Sequence, residues 1–321
     1  MKLLVIIVNY RTADLTIDAL ESLESEMKAI PASKVMVVDN DSGDGSDQRI
    51  AAAIAAHGWE SWVTFMPAAH NGGFAYGNNL AIRAALAHSH RPQYVHLLNP
   101  DTVVRPGALT SLVEFLDSHP DVGIAGSRLE HPDGRPQLSA FRFPGVLSEL
   151  DGGLRLGLIT RLLSRYIVAP PEIPEETRQV DWLAGASMMI RDKVFDDIGL
   201  LDERYFMYYE EVDFILRARR AGWSCWYVPA SHVVHLVGQA SGVTDPRKAR
   251  RRRPDYWFES RRRYFVRNLG PAKAALADLF FAAGHATWQV RRVIQRKEND
   301  VPERFLGDFI RHSVFAKGFE R

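Results

Sequence analysis

Among 321 residues there is one cysteine, Cys225. A lone thiol excludes an internal disulfide framework and a cysteine-built zinc site, and it fits a reducing compartment. Surplus charge is missing too. Forty Lys and Arg against 39 Asp and Glu leave a formal charge of +1, so no global field selects nucleic acid as a partner. Long apolar runs are scarce. Leu3–Val8 is too short for a signal-peptide core with a small-residue cleavage site and reads as a first buried strand. Asp278, Gly284, His285 and Gln289 interrupt Ala274–Val290, which falls short of a spanning helix. Glycine-rich phosphate loops are also absent. Strand one is followed by Asn9-Tyr10-Arg11-Thr12-Ala13, without the glycines of a dinucleotide grip, and no Walker-type loop occurs. What remains is an ordinary globular balance, 46% hydrophobic and 25% charged, which argues against wholesale disorder. The length suits one large domain or two fused halves.

Hydrophobic patterning predicts strands at Leu3–Val8, Lys34–Asp39, Trp62–Met66 and Tyr94–Leu98. Helices are predicted between them, at about Asp14–Met27, Asp47–His57 and Phe74–His88. Strands alternating with helices mean a parallel sheet with covered faces, and ligands then bind beyond the carboxyl ends of the strands. A helix at Gly107–Ser118 and a strand at Val122–Ala125 follow. His131-Pro132-Asp133-Gly134 predicts a hairpin turn. Leu147–Pro174 reads as a helix plus a Pro-rich connector, and Val180–Ile190 as one buried strand. Tyr208–Ala221 reads as a helix capped by Gly222, followed by short strands at Ser224–Val228 and His232–Leu236. A mobile loop is expected after Gly238 and helices from about Pro254.

Several strings at the strand ends carry chemistry. Asp39, in Val38-Asp39-Asn40-Asp41-Ser42, can hydrogen-bond a nucleotide or simply cap the next helix. Asn71-Gly72-Gly73-Phe74, with Asn78 beyond it, lets backbone approach a ligand and leaves N–H groups at a helix start, or makes a plain tight turn. In Asn99-Pro100-Asp101, proline stops the strand and leaves Asp101 at the sheet rim. A carboxylate there can hold a hard divalent cation together with diphosphate oxygens, or cap the following helix. Glu210, Glu211 and Asp213 open a helix beside Tyr205, Phe206, Tyr208 and Tyr209. Acids in that position offset the helix dipole, or one of them faces an aromatic cleft as a general base. Glu210 and Asp213 share a face and Glu211 points elsewhere. His232 and His235 point to opposite faces of a strand and do not chelate as a pair. The run Arg247, Lys248, Arg250–Arg253, Arg261–Arg263 and Arg267, interleaved with aromatics, fits a phosphate-bearing substrate, an anionic membrane surface or a solvated loop.

In order, these strings resemble family 2 glycosyltransferases, and among them the bacterial rhamnosyltransferase-like branch. Val8-Asn9-Tyr10, Val38-Asp39-Asn40, Asn71-Gly72-Gly73-Phe74, Asn99-Pro100-Asp101, Trp182-Leu183-Ala184-Gly185-Ala186, Phe206–Asp213 with Arg217 and Gly222, and His235 with Gly238 and Ser241 carry the likeness over roughly residues 3–242. The resemblance implies an α/β fold of GT-A type: a mostly parallel, Rossmann-like sheet with flanking helices, here with a C-terminal helical extension. It implies an inverting transferase with Mg2+ or Mn2+ as cofactor. Val8, Asn9, Tyr10, Asp39, Asn71, Gly72, Gly73 and Asn78 would serve the nucleotide sugar, Asn99 would hydrogen-bond it, and Gly185 and Ala186 would lie under the sugar. Asp101 would hold the metal and His235 would be a further ligand. Glu211, with Glu210 and Asp213 near it, would be the base; it stands where the family usually has aspartate.

The implied donor is dTDP-L-rhamnose. The implied acceptor is a saccharide or a polyprenyl-diphosphate-linked saccharide for cell-surface polysaccharide. The expected place is the cytoplasm, peripheral on the inner membrane face, with contact through the Arg-rich segment and C-terminal helices. Three parts are expected: a nucleotide-sugar-binding half at 1–105, an acceptor and catalytic half at 106–242, and a basic loop with helices at 243–321. The missing Gln-x-x-Arg-Trp string argues against a processive synthase. Rival readings are a catalytically weak binding subunit, motivated by Glu211, a nicotinamide-dependent oxidoreductase and a nucleotidyltransferase.

Overall fold

The computed structural model describes residues 1–236 and 252–320; the expected loop after Gly238 lies outside them. The first half alternates as the patterning predicts. It runs β1 (Leu3–Asn9), α1 (Ala13–Ala29), β2 (Ser33–Asp39), α2 (Ser46–His57), β3 (Val63–Pro67), α3 (Gly73–Ala87) and β4 (Tyr94–Leu98). Crossover helices make neighbouring strands parallel, and β3-β2-β1-β4 form the parallel half of the main sheet. Every residue of β1 is buried because helices cover both faces. Leu3, Val5 and Ile7 pack with α1 and α2 in one core cluster, and Leu4, Ile6 and Val8 with α3 in the other. The period of two along the strand serves two cores.

The second half turns the sheet mixed. It comprises β5 (Thr102–Val104), α4 (Ala108–Ser118), β6 (Val122–Glu130), β7 (Ala140–Phe141), α5 (Val146–Leu154), α6 (Gly157–Leu162) and β8 (Arg178–Val180). Then come β9 (Trp182–Leu183), β10 (Ser187–Arg191), α7 (Asp192–Ile198), α8 (Glu210–Arg220) and β11 (Ser224–His235). Beyond β4 the order continues β10-β6-β11-β5, with β8 on β11. Strand β10 is antiparallel to both β4 and β6, while β6 and β11 are parallel.

Two strand predictions are corrected. Val180–Ile190 is not one strand. It divides into β8, which pairs with β11; β9, which leaves the sheet to pair with β7; and β10. Ser224–Val228 and His232–Leu236 are not two strands but one, β11, with a register shift between Val228 and His232. Pro229, with no N–H for the ladder, falls inside that shift, where a bulge absorbs it. At 131–134 the turn is present, closed by the Gly134 N–H to the His131 carbonyl at 2.8 Å. Antiparallel pairing follows on either side of it, at the Glu130–Pro136 bridge and from the Gln137 N–H to the Leu129 carbonyl at 2.8 Å, so the hairpin is present but short.

The C-terminal helices are α9 (Asp255–Leu269), α10 (Pro271–Ile294), α11 (Phe305–His312) and α12 (Val314–Lys317). Helix α10 crosses α5 at two glycines. A Cβ on Gly284 would lie 2.9 Å from the Leu154 nitrogen, and one on Gly153 would lie 2.7 Å from the Phe281 oxygen. Arg261 of α9 is buried and ion-paired to Glu149 of α5 and Asp278 of α10, each at 2.6 Å. Arg263 and Arg267 bind Asp202, and Arg252 binds Asp308. Arg261, Arg263 and Arg267 thus spend their charges on carboxylates of the protein rather than on a phosphate or a membrane. Arg247, Lys248, Arg250 and Arg251 lie outside the described residues.

Candidate active site

The site lies where β1, β2 and β4 end. Asn9 and Asp39 are register partners at the last rungs of β1 and β2. Asn9 is fully buried. Its Nδ2 donates to Asp39 Oδ1 at 2.6 Å, and its Oδ1 accepts from Thr12 and Thr16. The Ser42 hydroxyl and N–H donate to the two oxygens of Asp39 at 2.6 and 3.1 Å. Asn9 thus orients Asp39 rather than standing free for a ligand. Asp39 borders a recess of about 310 Å³ with Asp41, Gly43, Gly45, Asp47, Gln48, Pro67 and Ala68, at the lower end of the volumes small-molecule sites occupy. Tyr10 is exposed at its edge of β1, while Val8 is buried, facing the position a Cβ on Gly77 would fill. The Val8 side chain therefore builds wall.

Asn71-Gly72-Gly73 is a joint between the two halves. Asn71 Oδ1 accepts from Asn40 Nδ2 and from the Gly73 N–H, both at 3.0 Å. The Phe74 N–H donates to the Phe206 carbonyl at 2.9 Å. Gly73 has φ +86°, and a Cβ on it would overlap that carbonyl, so glycine is required here. Asn78 is buried, its amide turned back to the Phe74 carbonyl, where it braces α3.

Asp101 follows Asn99-Pro100 at the end of β4 and is 2% exposed. The Asn99 N–H donates to the Ala186 carbonyl at 3.0 Å, while its side chain stays half-buried. Antiparallel pairing of β5 with β11 sets His235 opposite Thr102, and the Leu236 N–H bonds the Asp101 carbonyl at 2.9 Å. His235 Nε2 then lies 3.5 Å from Asp101 Oδ1. His232 points away, to Glu130 at 3.2 Å. Among the described residues no cluster of three His, Cys, Asp or Glu side chains is arranged to hold a metal. The Asp101–His235 pair offers one oxygen and one nitrogen, which fits a cation that completes its shell with substrate oxygens and water.

The third element is the start of α8. Tyr208 and Tyr209, just before it, have φ +70° and +69°. Left-handed conformations of non-glycine residues cost about 1–3 kcal/mol each and cluster at functional sites. They aim Glu210 and Glu211 inward. Glu210 is buried and Glu211 half-buried. One oxygen of each, Oε2, is enclosed with no hydrogen-bond partner among the described residues. Burial, and then the Glu211 charge, hold Glu210 well above the usual carboxylate range. Burial raises Glu211 as well. A Cβ on Gly185 would meet Glu211 Cβ and the Phe74 ring, each at 3.7 Å. Gly185 and Ala186 therefore join Glu211 to Asn99. Asp213 is corrected as a catalytic candidate: it is fully buried and bound by Arg217 Nε at 2.9 Å and Asn268 Nδ2 at 2.7 Å. Those bonds make it a brace for α8.

The site thus combines a strand-end recess, an acid–imidazole pair and an inward carboxylate pair. The family model described as glycosyltransferase-like family 2 matches residues 2–254. This chain belongs to that family.

The transferase is 30% identical over 222 residues to the N-acetylglucosaminyl-diphospho-decaprenol L-rhamnosyltransferase of Mycobacterium tuberculosis, covering 65% of this chain and 68% of the relative. It is 31% identical over 172 residues to the Escherichia coli rhamnosyltransferase WbbL, covering 51% and 61%. Among solved structures it is similar to the mannosyltransferase PcManGT from Pyrobaculum calidifontis, solved with GDP-Man and Mn2+. There the TM-score is 0.57 at 14% identity, with 99% of this chain and 83% of that one covered. For S. aureus TarS 1-349 with UDP the TM-score is 0.55 at 16% identity, covering 97% and 81%. These likenesses show the GT-A fold. The transferase's site also uses groups the patterning left without a role: Ser42 on Asp39, the Phe206 carbonyl under Gly73, and the left-handed Tyr208 and Tyr209. The two glycines signal a close approach, but only the folded chain shows what approaches.

Proposed function

We propose that the transferase moves L-rhamnose from dTDP-L-rhamnose to a hydroxyl of a lipid-diphosphate-linked saccharide, acting at the inner membrane face. The observation that carries the mechanism is the inward Glu210–Glu211 pair, with Glu211 against Gly185. The recess carries three carboxylates, Asp39, Asp41 and Asp47. They suit the hydroxyl and N–H groups of a nucleoside and repel phosphate, so the diphosphate runs from there toward Asp101. Asp101 and His235 would hold a divalent cation, Mg2+ or Mn2+, which when bound neutralises charge on the diphosphate. The acceptor oxygen attacks the anomeric carbon and forms the new glycosidic bond while the bond to the diphosphate breaks. Glu211 takes the hydroxyl proton, and nucleoside diphosphate leaves with the electron pair. Single displacement inverts the anomeric centre. Glu210, biased toward its protonated form by burial and by its neighbour, limits the charge in that corner so that Glu211 can ionise when the acceptor arrives.

The names of the two rhamnosyltransferase relatives support the sugar, and that of the Mycobacterium tuberculosis enzyme supports the acceptor. The test is nucleoside diphosphate release from a panel of nucleotide sugars, with and without a lipid-diphosphate N-acetylglucosamine acceptor and with Mg2+, Mn2+ or chelator. Acceptor-dependent release from dTDP-L-rhamnose is expected, and Asp101→Ala should abolish its metal dependence. Full activity in Asp101→Ala would overturn the metal assignment, and preference for another donor the rhamnose assignment.

A further inference from the structure

All exposed large apolar side chains among the described residues, apart from Met1 and Tyr10, fall within 156–166 and 276–319. On α10 they follow a rule. At about 100° per residue, Leu276, Leu279, Val290, Val293 and Ile294 share one face of about 100° of arc. Between Lys273 and Arg291 every exposed position of that helix is Leu, Ala, Thr or Val. Val290, Val293 and Ile294 are 62%, 65% and 76% exposed. A soluble helix usually turns charge outward; this one turns its buried Asp278 and His285 inward.

Helix α6 extends the face. Arg291 Nη2 donates to the Leu154 and Arg155 carbonyls at 2.6 and 2.9 Å, so the end of α10 lies beside the chain entering α6. There Leu158 and Leu162 are 67% and 71% exposed. Charge around this face is mostly positive, with Arg155 paired to Asp300 at 2.9 Å. No acid occurs from Gly152 to Pro171 or from Leu279 to Lys297, whereas Arg155, Arg161, Arg165, Arg291, Arg292, Arg296 and Lys297 do.

We propose that this face of α10 and α6 docks on an anionic lipid surface, lying in the plane of the membrane. Apolar side chains enter the acyl boundary and the arginines meet the headgroups. No helix among the described residues is long and apolar enough to cross a membrane, so the contact lies on the surface. A second copy is the poorer occupant. Parallel α10 helices would set the two basic ends together, and antiparallel ones would set each basic end against Lys273; like charges oppose both. The proposal rests on the lipid-linked acceptor for its purpose and names the surface that brings the enzyme to it.

The test is flotation of the full chain with phosphatidylglycerol or phosphatidylcholine vesicles, without donor or acceptor. The wild type should float with phosphatidylglycerol and lose binding in high salt. The triple variant Val290→Glu, Val293→Glu, Ile294→Glu should bind at least about tenfold more weakly with unchanged thermal unfolding, because all three side chains are already in water. Arg296→Gln with Lys297→Gln should weaken binding roughly fivefold per charge. Nucleoside diphosphate release with a water-soluble acceptor should be unchanged in the triple variant, which separates docking from the transferase reading. Wild-type flotation retained by the triple variant would overturn the proposal. So would a wild-type dimer in light scattering that the triple variant makes monomeric while vesicle binding persists.

Discussion

Glu210 and Glu211 titrate as a pair, and burial raises both. For a base this sets a direction. Glu211 must be ionised to accept a proton, so the acid limb of the kcat/KM profile should lie above the ordinary glutamate value of 4.5. Glu211→Gln should lower transfer by about 10²–10⁴-fold with donor-induced thermal stabilisation intact; unchanged turnover would remove Glu211 as the base. Stability follows from Glu210. Its folded pKa lies above the unfolded value, so its proton stabilises the fold at low pH, and that contribution is lost as pH rises through the folded pKa. Glu210→Gln has no charge to bury. Its melting temperature should therefore rise relative to wild type as the pH climbs above the ordinary glutamate value of 4.5 toward the raised folded pKa, and a constant difference would contradict this.

At the scale of elements, the site is held by a few turns that meet. The Asn71–Gly73 turn presses on the Phe206 carbonyl, and Phe206 leads into the left-handed Tyr208 and Tyr209. Helix α9 backs that segment: Ser260 Oγ donates to the Met207 carbonyl at 3.0 Å, and the Tyr256 ring lies 5.2 Å from Phe206. Gly73→Ala meets a conformational cost of about 1–2 kcal/mol and the overlap as well. It should depress donor binding and thermal stability together. Loss of one without the other would show that the two halves are not coupled through this turn.

Across the whole molecule, the C-terminal helices are part of the catalytic body. Arg261 bridges α5, α9 and α10 from a buried position, and Asp278 also accepts the Val314 N–H at 2.7 Å. Arg261→Met would leave two buried carboxylates uncompensated. It should cost about 3–5 kcal/mol, read by denaturant unfolding, with the loss reduced when Glu149→Met is added. A shift under 1 kcal/mol would mean that water reaches these carboxylates.

Much of the parallel half was legible without coordinates. The apolar periods of β1–β4 and α1–α3 are local, and sheet rules then put Asp39, Asn71 and Asp101 at one edge. Long-range pairing was not legible. Nothing between Val180 and Ile190 announces that Trp182 will leave to pair with Phe141, because that break is decided by a strand forty residues away. Asp213 looked like Glu210 in the chain; Asn268 and Arg217, brought in by folding, made it a brace. His235 came within reach of Asp101 through the β5–β11 register alone. The order of residues determined the class of fold and the candidate groups, since propensity and periodicity act over a few residues. Which carboxylate stays enclosed and which is neutralised was decided by tertiary structure, because desolvation and ion pairing depend on neighbours distant in sequence.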